Sequence, residues 1–172
     1  MGKVDNVKIK MVYGLLALAI LTRLLPHPPN FAPITSIALF SGFHFKDKIF
    51  AIFFPLTCML ITDIYIGLHS LMPIIYSCFA INTYIGFKFK KLSLSSIFLA
   101  SFSFFLISNL GVWFFSYPLN WSGLTVCFTL AIPFFVNSLC GDLFYSLVLD
   151  LSIKKIKYPK FIFVRSNQSL SQ

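Results

Sequence analysis

Apolar residues occur along this chain in long runs that are separated by short polar segments. The runs lie at about 9–25, 31–45, 49–67, 73–89, 93–115 and 122–151. Most are close to the roughly 20 residues that an α-helix needs to cross the hydrocarbon core of a bilayer. The pattern therefore predicts an all-α polytopic membrane protein, in which residues 1–172 form a single domain of six transmembrane helices with a basic tail at 152–172.

Basic residues are confined to every second polar segment. Of the 14 Lys and Arg residues, all except Arg23 lie before the first run, between runs two and three, between runs four and five, or in the tail. Short loops that remain in the cytoplasm collect Lys and Arg. The charge pattern predicts cytoplasmic N- and C-termini and outward-facing segments at 26–30, 68–72 and 116–121.

The second run is short for a transmembrane helix. Its 15 residues would cover roughly 22 Å at 1.5 Å per residue, less than the ~30 Å hydrocarbon core. A re-entrant segment is the alternative interpretation. A segment that did not cross would place Lys46 and Lys48 on the same side as the 26–30 segment, which lacks Lys and Arg, so we expect it to cross.

The sixth run is too long for a single helix and contains Pro133. Proline removes a main-chain donor and kinks or breaks a helix. We therefore predict a short half-helix at about 122–132, broken near Pro133, followed by the true span from 133.

Composition excludes several classes of function. With 58% hydrophobic and 11% charged residues, the chain is not a soluble enzyme. The net charge of +9 is explained by topology, so no nucleic-acid partner is expected. The sequence contains no phosphate-binding glycine loop, zinc motif or nucleophile elbow, and we expect no catalytic residues, no cofactor and no metal.

Polar residues in the outer half of the bundle are the candidates for ligand binding. Arg23 ends the first helix, Asp63 ends the third, Asn109 and Trp113 share a face of the fifth, and Asp142 lies in the sixth. Ionisable groups at membrane depth are costly and point into the bundle, where they pair with one another or with a ligand. These residues predict a cavity open to the outside. A purely structural ion pair of Arg23 with Asp63 or Asp142 is the alternative.

The segment from Arg23 to Phe31 contains three of the prolines and two further candidate ligand-binding residues, His27 and Asn30. Proline fixes its own φ and restricts the residue before it. A stiff outward loop of this kind is suited to act as a lid over a site, or as a tight connector between helices one and two. His27 and His69, in a later outward loop, are interpreted as hydrogen-bonding residues rather than metal ligands.

Small residues predict close helix packing. Thr35, Ala38 and Gly42 recur on one face of the second helix, where they would let another backbone approach. Internal packing is one interpretation. The other is that Ala38 and Gly42 form a docking surface for a partner membrane protein. Asn82 in the fourth helix predicts a hydrogen bond between helices.

Several motifs together resemble a family of small bacterial inner-membrane proteins of unknown function. They are Arg23-x-x-Pro-His-Pro-Pro-Asn-Phe-x-Pro33, Ile37-Ala-Leu-Phe-Ser-Gly42, Asp63, Asn109-Leu-Gly-Val-Trp113 and the run from Pro133 to Asp142. That family is similar to the substrate-binding S components of energy-coupling factor vitamin transporters. The resemblance implies a six-helix protein with an outward-facing pocket, partly closed by the loop between helices one and two. It also implies a transmembrane coupling protein and two ATPases as partners.

The leading hypothesis is therefore a membrane subunit that binds or transports a small polar, vitamin-like solute. Arg23 would meet an anionic group, Asp63 or Asp142 a cationic or hydroxyl group, and Asn109 and Trp113 would hydrogen-bond to the solute and stack on it. The rivals are a structural scaffold for envelope-assembly partners and an intramembrane enzyme that would use His27, Asp63 and His69. The enzyme is disfavoured because no catalytic spacing is present.

Overall fold

The computed structural model describes residues 3–24, 29–45, 47–89 and 91–155. All secondary structure in this part of the chain is helical. The six helices are α1 Lys3–Leu24, α2 Ile34–His44, α3 Lys48–Ile66, α4 Met72–Phe89, α5 Leu94–Ser116 and α6 Trp121–Lys155. The predicted all-α class and the six helices are confirmed. The 31–45 run is helical only from Ile34 to His44, and the first residues of the predicted tail continue α6.

The predicted break in the sixth helix is wrong. α6 is one helix of 35 residues that contains Pro133. An interior proline costs about 3 kcal/mol, because its ring displaces the turn before it and one hydrogen bond is lost. The remaining main-chain groups of a long apolar segment keep their hydrogen bonds only if the helix continues on both sides. One missing bond is therefore cheaper than a full interruption.

α2 is the central helix of the bundle. All residues from Ile34 to Gly42 are buried, and α2 contacts each of the other five helices. A helix that is apolar all round, as α2 nearly is, is expected in such a position. Its 11 residues cover only about 16 Å. In the non-helical stretch before α2, Pro33 is buried, whereas Pro29 and Asn30 are exposed.

Glycines set the distance between α2 and α4. A Cβ atom added to Gly86 would lie 2.5 Å from Leu39 O, and one added to Gly42 would collide with Thr83 O. The two backbones are thus in direct contact. Ala38 has no exposed surface, and Gly42 is also buried. The small-residue face of α2 is used inside the bundle, and a partner protein could reach it only by displacing α4.

A serine on α2 replaces a hydrogen bond that a proline removes from α3. Pro55 lies inside α3 and has no N–H to donate to Ala51 O, four residues earlier. Ser41 Oγ lies 2.8 Å from Ala51 O and 2.8 Å from Ala38 O of its own helix, so its single proton can be donated to Ala51 O or shared between the two carbonyls. Ser41 and Ala51 both have no exposed surface. This bond fixes α2 against the first turns of α3.

A polar contact joins α4 to α5, and polar side chains cap the beginnings of α5 and α3. Ser103 Oγ of α5 donates to Asn82 Oδ1 of α4 at 3.0 Å, which confirms the predicted hydrogen bond between helices. α5 begins with a capping box in which Ser93 and Ser96 satisfy each other's main-chain donors. α3 begins after Asp47, whose Oδ1 accepts from Ile49 N at 2.9 Å. These caps fix where the helices begin.

The outer surface of the bundle is apolar. Large hydrophobic side chains are exposed along several helices, including Phe53, Phe98, Phe114, Phe134, Val136 and Leu147. Soluble proteins do not expose apolar surface on this scale. Within the described residues, Lys48–Ile66, Leu94–Ser116 and Trp121–Ser152 are each long and apolar enough to cross a membrane. The chain is accordingly treated as a membrane protein.

Candidate functional site

A cavity with two lobes lies at one end of the bundle, where α1, α3 and α5 end and α2, α4 and α6 begin. One lobe, of about 330 Å³, is lined by Arg23 and His69. The other, of about 360 Å³, is lined by Phe105 and Asn109. We call them the Arg23 lobe and the Phe105 lobe. Both share the wall residues Asn30, Ile75, Phe104 and Ser138, so they are adjoining parts of one space.

Arg23 is held in a fixed orientation by α3. Its Nη2 atom donates to Asp63 Oδ1 at 2.7 Å, and Nη1 contacts the sulfur of Met59, one turn earlier on the same helix. Asp63 is 1% exposed, whereas the Arg23 side chain is 17% exposed. The structure therefore pairs Arg23 with Asp63 rather than with Asp142.

Asp63 has a second partner on α4. Tyr76 Oη donates to Asp63 Oδ2 at 2.9 Å, so each carboxylate oxygen accepts a hydrogen bond. Asp63 does not line either lobe. The carboxylate orients the guanidinium group, and the guanidinium group is what the Arg23 lobe exposes. Because Arg carries five N–H donors, donors remain for a solute after the contacts with Asp63 and Met59.

Asn30 stands on the wall between the two lobes. Its φ is 63°, in the left-handed region that Asn tolerates better than most residues. The turn brings the chain into the central helix α2 a few residues later. A residue at this position can hydrogen-bond a solute in either lobe. His27, the other predicted residue of this segment, lies outside the described residues.

The Phe105 lobe is largely aromatic. Its lining includes Phe104, Phe105, Phe134 and Phe135, and the rings of Phe105 and Phe135 lie 4.8 Å apart. Asn109 supplies a polar group on this wall. Its Nδ2 donates to Phe105 O at 2.7 Å, which leaves the side-chain oxygen to accept from a solute.

Trp113 is not part of the cavity wall. Its Nε1 donates to Pro118 O at 3.0 Å, which ties the end of α5 to the turn before α6. Trp113 follows Asn109 by four residues, but it lies beyond the mouth of the cavity, and neither lobe is lined by it. In this structure Trp113 connects α5 to α6, and its stacking on a solute stays a prediction.

Asp142 lies beneath the cavity rather than in it. It is 2% exposed and accepts from Ser101 Oγ at 2.6 Å. The hydroxyl of Thr35 is a further hydrogen-bond partner. Thr35 also lines the Arg23 lobe. Asp142 lines neither lobe, so this geometry does not favour the predicted contact between Asp142 and a solute.

Four residues of the site were absent from the sequence-based candidates: Tyr76, Met59, Phe105 and Ser101. Tyr76 could have been found, because it lies three and seven residues before the buried Phe79 and Thr83 on one face of α4. The other three carry no such signal among many similar residues. The part of the chain that the structure describes contains no group of three or more His, Cys, Asp or Glu side chains placed to hold a metal ion.

Comparison with known proteins identifies the family. A family model described as a family of unknown function, DUF6580, matches residues 3–162. The chain belongs to this family. No curated protein and no solved structure matches it. The match thus covers all six helices, and the family description names no activity.

Proposed function

We propose that this protein is an integral membrane subunit that binds a small polar solute for transport. The observation that carries the proposal is the two-lobed cavity, in which an oriented guanidinium group and a set of aromatic rings line two adjoining lobes. Each lobe falls within the ~300–1,000 Å³ typical of small-molecule sites. Largely apolar walls with a few convergent polar groups are the usual composition of such sites.

The walls favour a solute with two chemically different ends. The Phe105 lobe would take an apolar or flat body, and the Arg23 lobe would take a group rich in oxygen acceptors. The charge of Arg23 is balanced by Asp63. A neutral polar group or a single negative charge therefore fits, whereas a multiply charged group would lack compensation. This chemistry suits a vitamin-like micronutrient.

The proposed topology has all six helices crossing a bacterial inner membrane with both termini in the cytoplasm. Lys48, Lys88 and Lys91 lie at the end of the bundle opposite the cavity. Because basic residues stay in the cytoplasm, the cavity would open outward. A cavity on that side would capture a solute before transport.

The resemblance to S components of energy-coupling factor transporters supplies the proposed mechanism. The subunit would bind the solute and pass it on through a separate transmembrane coupling protein driven by two ATPases. No covalent chemistry is needed, so this subunit is proposed not to be an enzyme. The docking surface would have to lie on exposed helix faces, because Ala38 and Gly42 are enclosed by the bundle.

The test is to purify the protein in mild detergent and identify by mass spectrometry the small molecules released when it is denatured. Arg23→Gln removes the guanidinium group from the cavity, and Lys91→Gln is a matched control at the opposite end. We expect a released small molecule from the native protein and from Lys91→Gln, and at least a tenfold loss with Arg23→Gln. Equal recovery from all three proteins, or no bound small molecule in any, would contradict the proposal.

A second variant probes the other lobe. Asn109→Leu keeps the branched side-chain shape but removes the amide from the wall of the Phe105 lobe. We expect it to weaken retention of the same compound, while Trp113→Phe leaves retention unchanged because Trp113 lies outside both lobes. A larger effect of Trp113→Phe would show that the solute sits elsewhere. Co-purifying ATPases would support the transporter mechanism.

A further inference from the structure

Asp142 and Asp63 are both buried carboxyl groups, but only Asp63 has a countercharge in the described structure. Asp63 is paired with Arg23. Asp142 is 2% exposed, and no Lys, Arg or His with a described side chain forms an ion pair with it. An ionised carboxylate without a partner in an apolar interior costs many kcal/mol, and such a group usually becomes neutral instead. Arg23 therefore balances the charge of Asp63, whereas Asp142 must be neutralised in another way.

The helices packed against Asp142 offer hydroxyls rather than charges. α5 has no ionisable side chain, and the one in α2 is His44, at the far end of that helix. On α6 itself the nearest ionisable groups along the chain are Cys140, Tyr145 and Asp150. None of these compensates a negative charge. Neutralisation has to come from a bound proton or from a cation.

The hydroxyls around Asp142 are not arranged to bind a cation, which leaves a bound proton. Ser36 Oγ donates to the main-chain carbonyl oxygen of Asp142 at 3.0 Å, and Ser146 Oγ donates to Ser36 Oγ at 3.1 Å. Ser101 Oγ bonds the carboxyl group directly at 2.6 Å. A metal cation requires about six oxygen atoms that converge on one point. Here Ser36 and Ser146 bond to each other and to the main-chain carbonyl of Asp142, so their oxygens do not converge with Ser101 on the carboxyl group.

Thr35 links Asp142 to the cavity. Its hydroxyl lies within hydrogen-bonding reach of the Asp142 carboxyl group, and the residue also lines the Arg23 lobe. Ser138, one helical turn before Asp142 on α6, lies on the wall shared by both lobes. A hydroxyl can donate and accept at once, so Thr35 can accept a proton from the acid while it releases its own proton to cavity water.

We propose that Asp142 is a proton-binding site beneath the cavity, and that its proton exchanges with the cavity through the Thr35 hydroxyl. In the exchange the Asp142 O–H bond breaks and a new bond forms to Thr35 Oγ1. The original Thr35 proton passes to water in the Arg23 lobe. A solute in that lobe would block this route, a consequence that rests on the proposed function.

The first experiment is infrared spectroscopy of the full-length protein at neutral pH in an ester-free detergent. We expect a C=O stretching band of a protonated carboxylic acid that Asp142→Asn removes. Asp63→Asn and Asp150→Asn are matched controls that should leave the band in place. A band unaffected by Asp142→Asn, or one that sodium suppresses relative to choline, would overturn the proposal. This readout does not depend on any solute.

The second experiment follows the shift of the same band after transfer from H₂O to D₂O. Thr35→Val keeps the side-chain shape but removes the hydroxyl that faces the cavity, and we expect exchange to slow at least severalfold. Ser101→Ala is the control, because Ser101 bonds Asp142 without lining either lobe. Equal slowing in the two variants would refute exchange through Thr35.

Discussion

The ion pair between Arg23 and Asp63 can be tested for its structural and its binding role separately. The perturbation is to replace each charged residue by its neutral amide: Arg23→Gln, Asp63→Asn, and both together. Removing one member of a buried pair leaves the other charge uncompensated, at a typical cost of about 3–5 kcal/mol. The two residues differ in exposure, so the two single substitutions should differ in cost.

Arg23→Gln should be the more damaging single change for stability. It leaves the Asp63 carboxylate at 1% exposure, with only Tyr76 still donating to it. We expect a loss of about 3 kcal/mol, the lower end of the range for broken buried pairs, because the Tyr76 hydrogen bond remains. Asp63→Asn leaves Arg23, which is 17% exposed and faces the cavity. Water there screens the charge, so we expect about 1–2 kcal/mol.

The double variant distinguishes structure from binding. Two neutral amides remove both buried charges, and such replacements are often close to neutral. We expect the double variant to be within about 1 kcal/mol of the native protein and more stable than Arg23→Gln alone. Solute retention, in contrast, should stay as low as in Arg23→Gln, because the guanidinium group is still missing from the Arg23 lobe.

The assay is unfolding in mixed micelles of a mild detergent and sodium dodecyl sulfate, followed by tryptophan fluorescence, alongside the retention measurement. Equal losses for the two single variants would refute the argument from exposure. A double variant as unstable as the sum of the single variants would show that the pair is not coupled. Recovery of retention in the double variant would show that Arg23 serves only the fold.

Two further predictions concern the packing of α2. Ser41→Ala should destabilise the protein by about 1–2 kcal/mol, because Ala51 O loses its donor. The same substitution should cost clearly less in a Pro55→Ala background, where residue 55 regains an N–H. Equal costs of Ser41→Ala in the two backgrounds would contradict this prediction. Gly86→Ala should lower the free energy of unfolding by more than about 2 kcal/mol, because the added Cβ would overpack against a main-chain oxygen of α2. Gly14→Ala is the control, because nothing lies within 4 Å of a Cβ added there. It should be neutral or stabilising in the same unfolding assay.

Local patterns in the sequence were sufficient to place the helices. A run of apolar residues in lipid must form a helix, because no water is available to its main-chain groups. α3, α4 and α5 therefore coincide with the predicted runs to within a few residues, whereas α1 begins six residues before its run. Another exception is α2, where Pro33 precedes the first helical residue and the helix begins later than the run of apolar residues.

The effects of the two interior prolines could not be predicted in this way. Pro133 was expected to break a helix, but α6 continues through it. Pro55 drew no prediction, yet its missing hydrogen bond is what Ser41 on another helix compensates. Whether an interior proline interrupts a helix depends on which neighbouring groups satisfy the freed carbonyl. That information is not local.

The candidate site was predicted only in part, because contacts between helices cannot be read from local sequence patterns either. Charge and helix ends indicated Arg23, Asn30 and Asn109, all of which line the cavity. Helical spacing predicted that Trp113 lies on the same helix face as Asn109. It did not predict how far along the cavity Trp113 lies. The partners of each polar group, above all Tyr76 for Asp63, depend on contacts between helices far apart in sequence.

By itself, the sequence determined that this chain is a bundle of apolar helices, roughly where each begins and ends, and that Arg23 stands apart from the other basic residues. These properties follow from hydrophobic periodicity and charge, which act along the chain. The tertiary structure alone decided that Arg23 pairs with Asp63, that the small residues of α2 face α4, and that Asp142 lies beneath the cavity beside Thr35. Pairing in a bundle is set by which helix faces meet, and side-chain packing between distant segments decides that.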